Sequence, residues 1–346
     1  MTDDDTTGPV DRRNVLKGAA GLGVAGLAGC LGGDDEIVEI VAGCSSRGST
    51  SFSSCQAMQA VADRHSENLE FTVTAPGGDP ASIRGLDEGE VDLYTSGSYI
   101  VQQAAAGNDP FADDPVDGVG GMVMSYITID MYMMQKEEAG YEDFQDAIDQ
   151  EADIWGFPAG WGLRRLFMRL LEEAGMREEV EPLLQDMAAE DVAGALEEDR
   201  VEVFTGYGNS GVGLAGWEVE VDSRVDVEWL EMPDRYWDGV EAGPALLNQI
   251  PPYGWEQDIN SPDEFNAWVD GFNMYADEDL SSDVVYELLE LATEYPDELR
   301  DAEPNWLDGN DPENLTVGFW DTELHPGAAE FFDDHDVDIS PAIDPR

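Results

Sequence analysis

A loop rich in hydroxyl groups, Gly43–Phe52, is the first candidate for ligand chemistry. Its serines and threonine stand just before an amphipathic run that predicts a helix. The free N–H groups and the positive end of a helix favour an anion there, and hydroxyl groups add hydrogen-bond donors. Arg47 lies in the same loop and could pair with a carboxylate. The loop therefore predicts a binding site, the alternative being an ordinary turn that caps a helix.

Four further segments place hydroxyl, aromatic or amide groups near the ends of predicted strands. They are Asp92–Tyr99, Gly156–Arg165, Phe204–Ser210 and Ile250–Gly254. In open α/β sheets, ligands collect at the carboxyl ends of the strands. These segments therefore predict one crevice with the first loop.

Arg164, Arg165 and Arg169 form the basic cluster of the chain beyond its N-terminal region. Arg164 follows the glycine-rich turn and is a candidate ligand contact. An arginine here could equally neutralise acidic neighbours. Both readings stay open from the sequence.

The charge balance restricts the possible functions. The chain has 77 acidic and 16 basic residues and a formal net charge of −61. Molar salt shortens the Debye length to about 3 Å and removes most of the resulting self-repulsion, so the composition is typical of a halophile. The scarcity of basic surface argues against nucleic-acid binding, and 42% hydrophobic residues argue against disorder. Acidic pairs are so common that none of them indicates a catalytic couple.

The residues of common catalytic sites do not form recognisable motifs. The three histidines show no paired metal-ligand spacing, and no G-x-S-x-G nucleophile turn is present. We expect no enzyme activity, no metal and no cofactor, with a secreted hydrolase as the less favoured alternative. Cys44 and Cys55 could form a disulfide outside the cell or remain small buried thiols.

The N-terminal region predicts export and anchoring. Arg12 and Arg13 precede an apolar run that ends at Cys30, and this run is too short to span a membrane. The pattern resembles a twin-arginine signal followed by a lipobox, in which Cys30 receives the lipid. Residues 1–29 are therefore predicted to be a signal peptide and residues 30–36 a lipid-anchored linker.

Strand-like and helix-like runs alternate after residue 36, which predicts a largely parallel sheet in an α/β fold. The extended runs include Ile37–Ala42, Leu69–Thr74, Val91–Ser96, Met122–Met134, Ile154–Phe157, Val201–Thr205 and Glu264–Asn273. The helical runs include Phe52–His65, Ala81–Glu88, Leu163–Ala174, Asp191–Glu198 and Ser281–Thr293. The last run has a predicted cap at Ser282–Asp283 and a predicted apolar face of Val284, Val285, Leu288, Leu289 and Ala292. We expect one lobe from residues 37–128 plus 274–346 and a second from residues 129–273. Segments Ile129–Met134 and Ala267–Asn273 would be the hinge.

The mature chain resembles the TAXI family of solute receptors that serve TRAP transporters. The segments that carry the resemblance are the loop Gly43–Phe52, the run Leu86–Leu93, the turn Gly156–Gly162, the run Asp283–Leu288 and the run Leu324–Phe332. The resemblance implies a type II periplasmic-binding-protein fold, with two α/β lobes that close on a small organic anion or amino acid such as glutamate or a dicarboxylate. A TRAP-type permease and a lipid-bearing cell membrane would be the partners of an extracytoplasmic monomer.

The resemblance also implies specific ligand contacts. Carried over position by position, they are Ser46, Gly48, Ser49, Thr50, Ser98, Gly160, Trp161, Tyr207 and Tyr253. Arg47, Arg164 and Asn209 are added as candidates from their own chemistry. The sequence departs from the family pattern at Arg47, at Phe52 and at Trp161–Leu163, which replaces the usual Ser-Gly-Thr and indicates a changed pocket. A binding protein for an ABC permease or a sensor would have the same fold and anchor.

Overall fold

The computed structural model describes residues 37–47, 49–318 and 322–339. Its strands are β1 (Val38–Gly43), β2 (Leu69–Thr74), β3 (Leu93–Gly97), β4 (Gly121–Lys136), β5 (Ile154–Trp155), β6 (Val203–Asn209), β7 (Gly213–Leu214), β8 (Val227–Leu230), β9 (Leu246–Ile250) and β10 (Phe265–Ala276). Its helices are α1 (Thr50–His65), α2 (Asp79–Asp87), α3 (Ser98–Ala105), α4 (Phe144–Asp149), α5 (Gly162–Glu173), α6 (Arg177–Val180), α7 (Val192–Glu197), α8 (Gly216–Arg224), α9 (Asp234–Ala242), α10 (Ser282–Glu294), α11 (Pro296–Ala302) and α12 (Pro326–Asp334).

The main path of the sheet runs in the order β2-β1-β3-β10-β4-β6-β5. β1 pairs in parallel with β2 and β3, and β5 pairs in parallel with β6. β10 is antiparallel to β3 and β4, and β4 is antiparallel to β6. The prediction of an α/β fold is confirmed, whereas the prediction of a largely parallel sheet is wrong at the centre. Helical crossovers impose parallel pairing only on the strands that they connect, and β10 returns to the sheet from the last third of the chain.

The long strands β4 and β10 form the centre of the sheet. Trp268 pairs with Met131 and Gly271 pairs with Thr128, with register shifts beside Asn273. Both predicted hinge segments lie within these two strands. Their role as a hinge between two lobes stays a prediction.

Helix α10 shows how closely local pattern determined local structure. Its predicted apolar face is buried, comprising Val284, Val285, Leu288, Leu289 and Ala292. The cap is Ser281, whose Oγ accepts a hydrogen bond from the Val284 N–H at 3.3 Å. The predicted cap at Ser282–Asp283 was therefore one residue too late.

The run Leu324–Phe332 forms a tight packing contact. His325 caps α12, because its Nδ1 accepts a hydrogen bond from the Gly327 N–H at 3.2 Å. A Cβ on Gly327 would lie 2.3 Å from the carbonyl oxygen of Ser282, so only glycine allows α12 to approach α10 this closely. His325 therefore has a structural role at the start of α12.

A disulfide bond joins Cys44, which directly follows β1, to Cys55 in α1. The bond closes the hydroxyl-rich loop at its base. Replacing both cysteines by serine is expected to lower the free energy of unfolding by about 2–3 kcal/mol, because the unfolded chain regains the entropy of an open loop. Denaturant unfolding with and without reductant measures this effect. Reductant should bring the wild type to the level of the double variant and leave that variant unchanged; an equal response of both proteins would contradict the prediction.

The predicted signal and linker, with Arg12, Arg13 and Cys30, lie outside the described residues, as does Gly48 of the first loop. Within the part of the chain that is described, no helix combines the length and the apolar character needed to cross a membrane.

Candidate functional site

A small cavity lies where the first loop, α2, α5, β4, β6 and β10 meet. It is lined by Ser45, Ser49, Thr50, Ser51, Asp79, Ile129, Trp161, Gly162, Leu163, Tyr207 and Phe272. Its volume is about 20 Å³, which is room for about one water molecule. In this conformation the cavity is therefore smaller than an amino acid.

The first loop contributes hydroxyl groups from the start of α1. Ser49 caps this helix, and its Oγ accepts a hydrogen bond from the Phe52 N–H at 3.3 Å while donating to the carbonyl of Ser46 at 2.8 Å. Ser51 Oγ and the Tyr126 hydroxyl lie 2.7 Å apart. Ser49 and Ser51 thus have protein partners, and Thr50 is buried against the same cavity.

Asp79 is the carboxylate of the cavity. It is the first residue of α2 and is only 3% exposed. Burial raises the pKa of Asp79 from 3.8 to about 6, although hydrogen bonds from the Ser45 side chain and from the backbone of Gly97 and of Asp79 itself lower it. At neutral pH, Asp79 is therefore a largely ionised carboxylate held at a desolvation cost.

Aromatic rings form one wall of the cavity. The ring of Phe157 lies 6.3 Å from Trp161, nearly parallel to it, and 5.9 Å from Tyr207. Trp161 is partly exposed, whereas Tyr207 is buried. Burial raises the pKa of Tyr207, so its hydroxyl remains protonated at neutral pH. Phe272 adds another ring from β10.

The two sides of the cavity touch each other through glycine. A Cβ on Gly78 would lie 3.1 Å from the carbonyl oxygen of Gly160. A Cβ on Gly162 would lie 2.7 Å from Asp79 Oδ2. The turn before α5 therefore packs directly on the start of α2, and a larger solute can enter only if these segments separate or Trp161 moves.

Ser49, Thr50, Trp161 and Tyr207 are predicted site residues that the structure brings together around the cavity. Asn209 lies two residues after Tyr207 on β6, so its side chain leaves the strand on the same face. It is fully buried, and neither its Nδ2 nor its Oδ1 has a hydrogen-bond partner among the described residues.

Other predicted residues lie away from the cavity. Ser98 is buried and donates to the carbonyls of Gly271 and Gly318 at 3.1 and 3.0 Å. The Tyr253 hydroxyl donates to Asp130 at 2.6 Å, and its ring covers Gly208.

Three further predicted residues, in the first loop and in the turn before α5, do not line the cavity. Ser46 is partly exposed, and Gly160 is exposed. Arg47 is exposed too, with its guanidinium 5.3 Å from the ring centre of Phe52. Arg47 therefore stacks on an aromatic ring at the surface in this conformation.

Arg164 belongs to a separate groove on the outer side of α5. This groove, of about 750 Å³, is also lined by Arg165, Arg169 and Arg177. Arg164 donates to the carbonyls of Gly156 and Phe157 at 3.2 and 3.4 Å, and burial lowers its pKa. The other three arginines pair with acidic residues, namely Asp109, Glu172, Glu173 and Glu181. The basic cluster thus forms ion pairs within α5 and between α5 and adjacent segments.

Sequence reasoning missed Asp79, Ile129 and Phe272 as lining residues. Asp79 had a usable signal, since it follows Gly77 and Gly78 at the carboxyl end of a predicted strand. The abundance of acidic residues concealed it. Ile129 and Phe272 were placed only in the predicted hinge strands.

No group of three or more histidine, cysteine or acidic side chains in residues 37–47, 49–318 and 322–339 is arranged to hold a metal ion. The site instead combines hydroxyl groups, aromatic rings and one carboxylate in a cleft at the ends of strands. Such an arrangement suits the binding of a small molecule.

The sheet, with β10 inserted between β3 and β4, is that of a mixed α/β protein, and the type II periplasmic-binding-protein class stays a prediction. More specifically, the chain belongs to the NMT1-like family, whose model matches residues 42–335. No curated protein sequence matches this chain.

The solved structures that resemble this chain include several binding proteins. The ligand-binding component of an ABC-type import system from Staphylococcus aureus has 12% identity and a TM-score of 0.41, covering 88% of this chain and 94% of its own. The glycine betaine/L-proline-binding protein ProX from Borrelia burgdorferi has 13% identity and a TM-score of 0.46, covering 86% and 93%. The OxyR2 regulatory domain from Vibrio vulnificus has 12% identity and a TM-score of 0.43, covering 77% and 99%. With TM-scores below 0.5, these likenesses carry no conclusion about the fold or the function of this chain.

Proposed function

We propose that this protein is an extracytoplasmic solute-binding protein that delivers a small organic anion or amino acid to a TRAP-type secondary transporter, and that it is not an enzyme. The observation that carries the proposal is the cavity at the strand ends, which is lined by hydroxyl groups, one carboxylate and aromatic rings. Family membership and the resemblance of the sequence to TAXI receptors support it.

The proposed mechanism is hinge closure. The contacts of Gly78 with Gly160 and of Asp79 with Gly162 close the cavity in this conformation. Bending of β4 and β10 would separate these segments and admit the solute. Contacts made by the solute with both sides would then favour the closed state.

The proposed location is the outer face of the cell membrane. Arg12 and Arg13 would direct export, and a lipid on Cys30 would hold the chain there through residues 30–36. The excess of carboxylates supports a halophilic setting with molar salt around the protein. We propose that the protein acts there as a monomer.

The second candidate is a binding protein that serves an ABC permease or a sensor. An ABC import component and a regulatory domain are among the solved structures that resemble this chain, so this candidate is retained. The resemblance does not distinguish it from the first candidate. Neighbouring genes distinguish the candidates, because a TRAP permease gene supports the first proposal and an ATPase gene the second.

A thermal-shift screen of amino acids and dicarboxylates at molar salt tests the solute-binding function. A solute that binds the folded state should raise the melting temperature in proportion to the logarithm of its concentration. If no compound in the screen raises it, the proposed function is contradicted for these solute classes.

Trp161→Ala is expected to weaken binding of the solute found in this screen at least tenfold, about 1.4 kcal/mol, because an aromatic face of the cavity is lost. Calorimetry at molar salt measures the change. Trp229→Ala is the matched control, since Trp229 packs against Phe265 and does not line the cavity. Equal affinities for the two variants would remove Trp161 from the site.

A further inference from the structure

The cavity lining has a negative charge, whereas a solute with two carboxylates would require positively charged partners. Among the residues that line it, Asp79 carries the single carboxylate, and none is an arginine or lysine. Asp270 is buried nearby, and burial together with the charge of Asp79 raises the pKa of Asp270 to about 8, so the negative charge at neutral pH is that of Asp79. The lining therefore presents negative charge to whatever enters.

The candidate cations of the sequence are engaged elsewhere. Arg47 is exposed over Phe52, and Arg164 donates to two backbone carbonyls outside the cavity. Arg165 pairs with Asp109. In the described part of the chain, no basic side chain forms a salt bridge with Asp79.

Asp79 also occupies the position that an anionic solute would use. Its carboxylate lies at the N-terminus of α2 and against Gly162, the first residue of α5. Helix N-termini stabilise negative charge, and here that charge is supplied by the protein itself. A solute carboxylate at the same point would meet Asp79 as a like charge in an enclosed space.

The remaining groups suit a zwitterion. Trp161, Tyr207 and Phe272 offer ring faces, which attract cationic nitrogen. Thr50 lines the cavity, and the buried Asn209 amide on the adjoining strand face has unused hydrogen-bonding groups that could serve a single carboxylate.

We propose that the solute carries a cationic nitrogen, received by Asp79, and at most one carboxylate, so that a small zwitterion such as an amino acid binds and a dicarboxylate does not. This inference rests on the proposed solute-binding function and narrows its ligand class.

The test compares matched solutes on the wild-type protein at molar salt. L-leucine is paired with 4-methylpentanoate, which lacks the amine, and L-glutamate is paired with glutarate; the other neutral amino acids are paired with their deaminated acids in the same way. We expect one or more neutral amino acids to bind, and each deaminated partner to bind at least 100-fold more weakly. L-glutamate that binds as tightly as the neutral amino acids, or a deaminated acid or glutarate that binds as tightly as its amino acid, overturns the inference, while solute binding itself stands. If no amino acid and no deaminated acid binds, both the proposed solute-binding function and this inference are contradicted.

Asp79→Asn provides the second test because it keeps the size of the side chain and an acceptor for Ser45. We expect at least a 50-fold loss of affinity for the amino acid and no loss for the deaminated acid. Asp92→Asn is the matched control, since Asp92 is a structural carboxylate that accepts a hydrogen bond from the Val41 N–H at 2.9 Å. Unchanged amino-acid affinity in Asp79→Asn overturns the inference.

Discussion

Replacing Trp268 by alanine is expected to lower the free energy of unfolding by about 3–5 kcal/mol. Trp268 is fully buried on β10 and packs between helices α5 and α9. Its ring centre lies 6.0 Å from Phe167, 5.2 Å from Tyr236 and 6.3 Å from Trp237. Alanine would leave a cavity that three aromatic neighbours cannot easily fill. Denaturant unfolding at molar salt measures the loss.

Trp268→Phe is the matched control. The indole Nε1 of Trp268 is buried without a hydrogen-bond partner in the described residues, so phenylalanine keeps an aromatic ring and removes an unsatisfied donor. We expect this variant to lose less than half as much stability as the alanine variant. Because Trp268 does not line the cavity, both variants should retain solute affinity below their melting temperatures. An alanine variant as stable as the phenylalanine variant would contradict the account of packing.

Local sequence pattern was sufficient to place many elements. Strand β2 begins and ends at the predicted residues Leu69 and Thr74, because its apolar alternation is bounded by polar segments. The apolar face of α10 was predicted for the same reason. These features depend on neighbours within a few residues, which the sequence displays directly.

Long-range pairing was harder to predict. β10 lies beside β3 and β4, which precede it by more than 120 residues, and it runs antiparallel to both. Nothing in the local pattern of Phe265–Ala276 specifies a direction or a partner. The closure of the cleft has the same origin, because Gly78 and Gly160 meet only in the folded chain.

The candidate site was predicted in part for a related reason. Hydroxyl-rich and glycine-rich turns at strand ends pointed to Thr50 and Trp161, which both line the cavity, and their role in ligand binding stays a prediction. Arg47 and Arg164 stood out because cations are scarce, yet scarcity does not determine where a side chain points. Asp79 did not stand out because it is one of 77 acidic residues, and its burial and its place in the cavity lining appear only in the folded chain.

The stability of the protein is expected to decrease as the pH rises toward about 8, through Asp270. This residue is 2% exposed, and the Tyr99 N–H lies 3.3 Å from its Oδ1. Burial raises the pKa of Asp270 from 3.8 to about 8, and the charge of Asp79 raises it further, while the backbone N–H of Tyr99 lowers it. The folded state therefore holds a proton that the unfolded state releases near pH 4.

The sign follows from proton linkage. Between about pH 4 and pH 8 the folded state binds more protons than the unfolded state, so each pH unit lowers the free energy of unfolding by about 1.4 kcal/mol. The stabilisation is complete below the unfolded pKa and is lost as the pH rises through the folded pKa. From pH 5 to pH 8 we expect roughly 2–4 kcal/mol from this group.

Asp270→Asn isolates this effect because asparagine is uncharged at every pH. Denaturant unfolding from pH 5 to pH 9 at molar salt should show a flatter pH dependence for Asp270→Asn than for the wild type. Asp79→Asn is the comparison: it should flatten the dependence up to about pH 6, where the pKa of Asp79 lies, and should move the titration of Asp270 to lower pH, because the charge of Asp79 raises the pKa of Asp270. Molar salt screens the repulsion among surface carboxylates, which would otherwise add its own pH dependence. Parallel curves for the wild type and Asp270→Asn above pH 6 would show that Asp270 is already ionised in the folded protein.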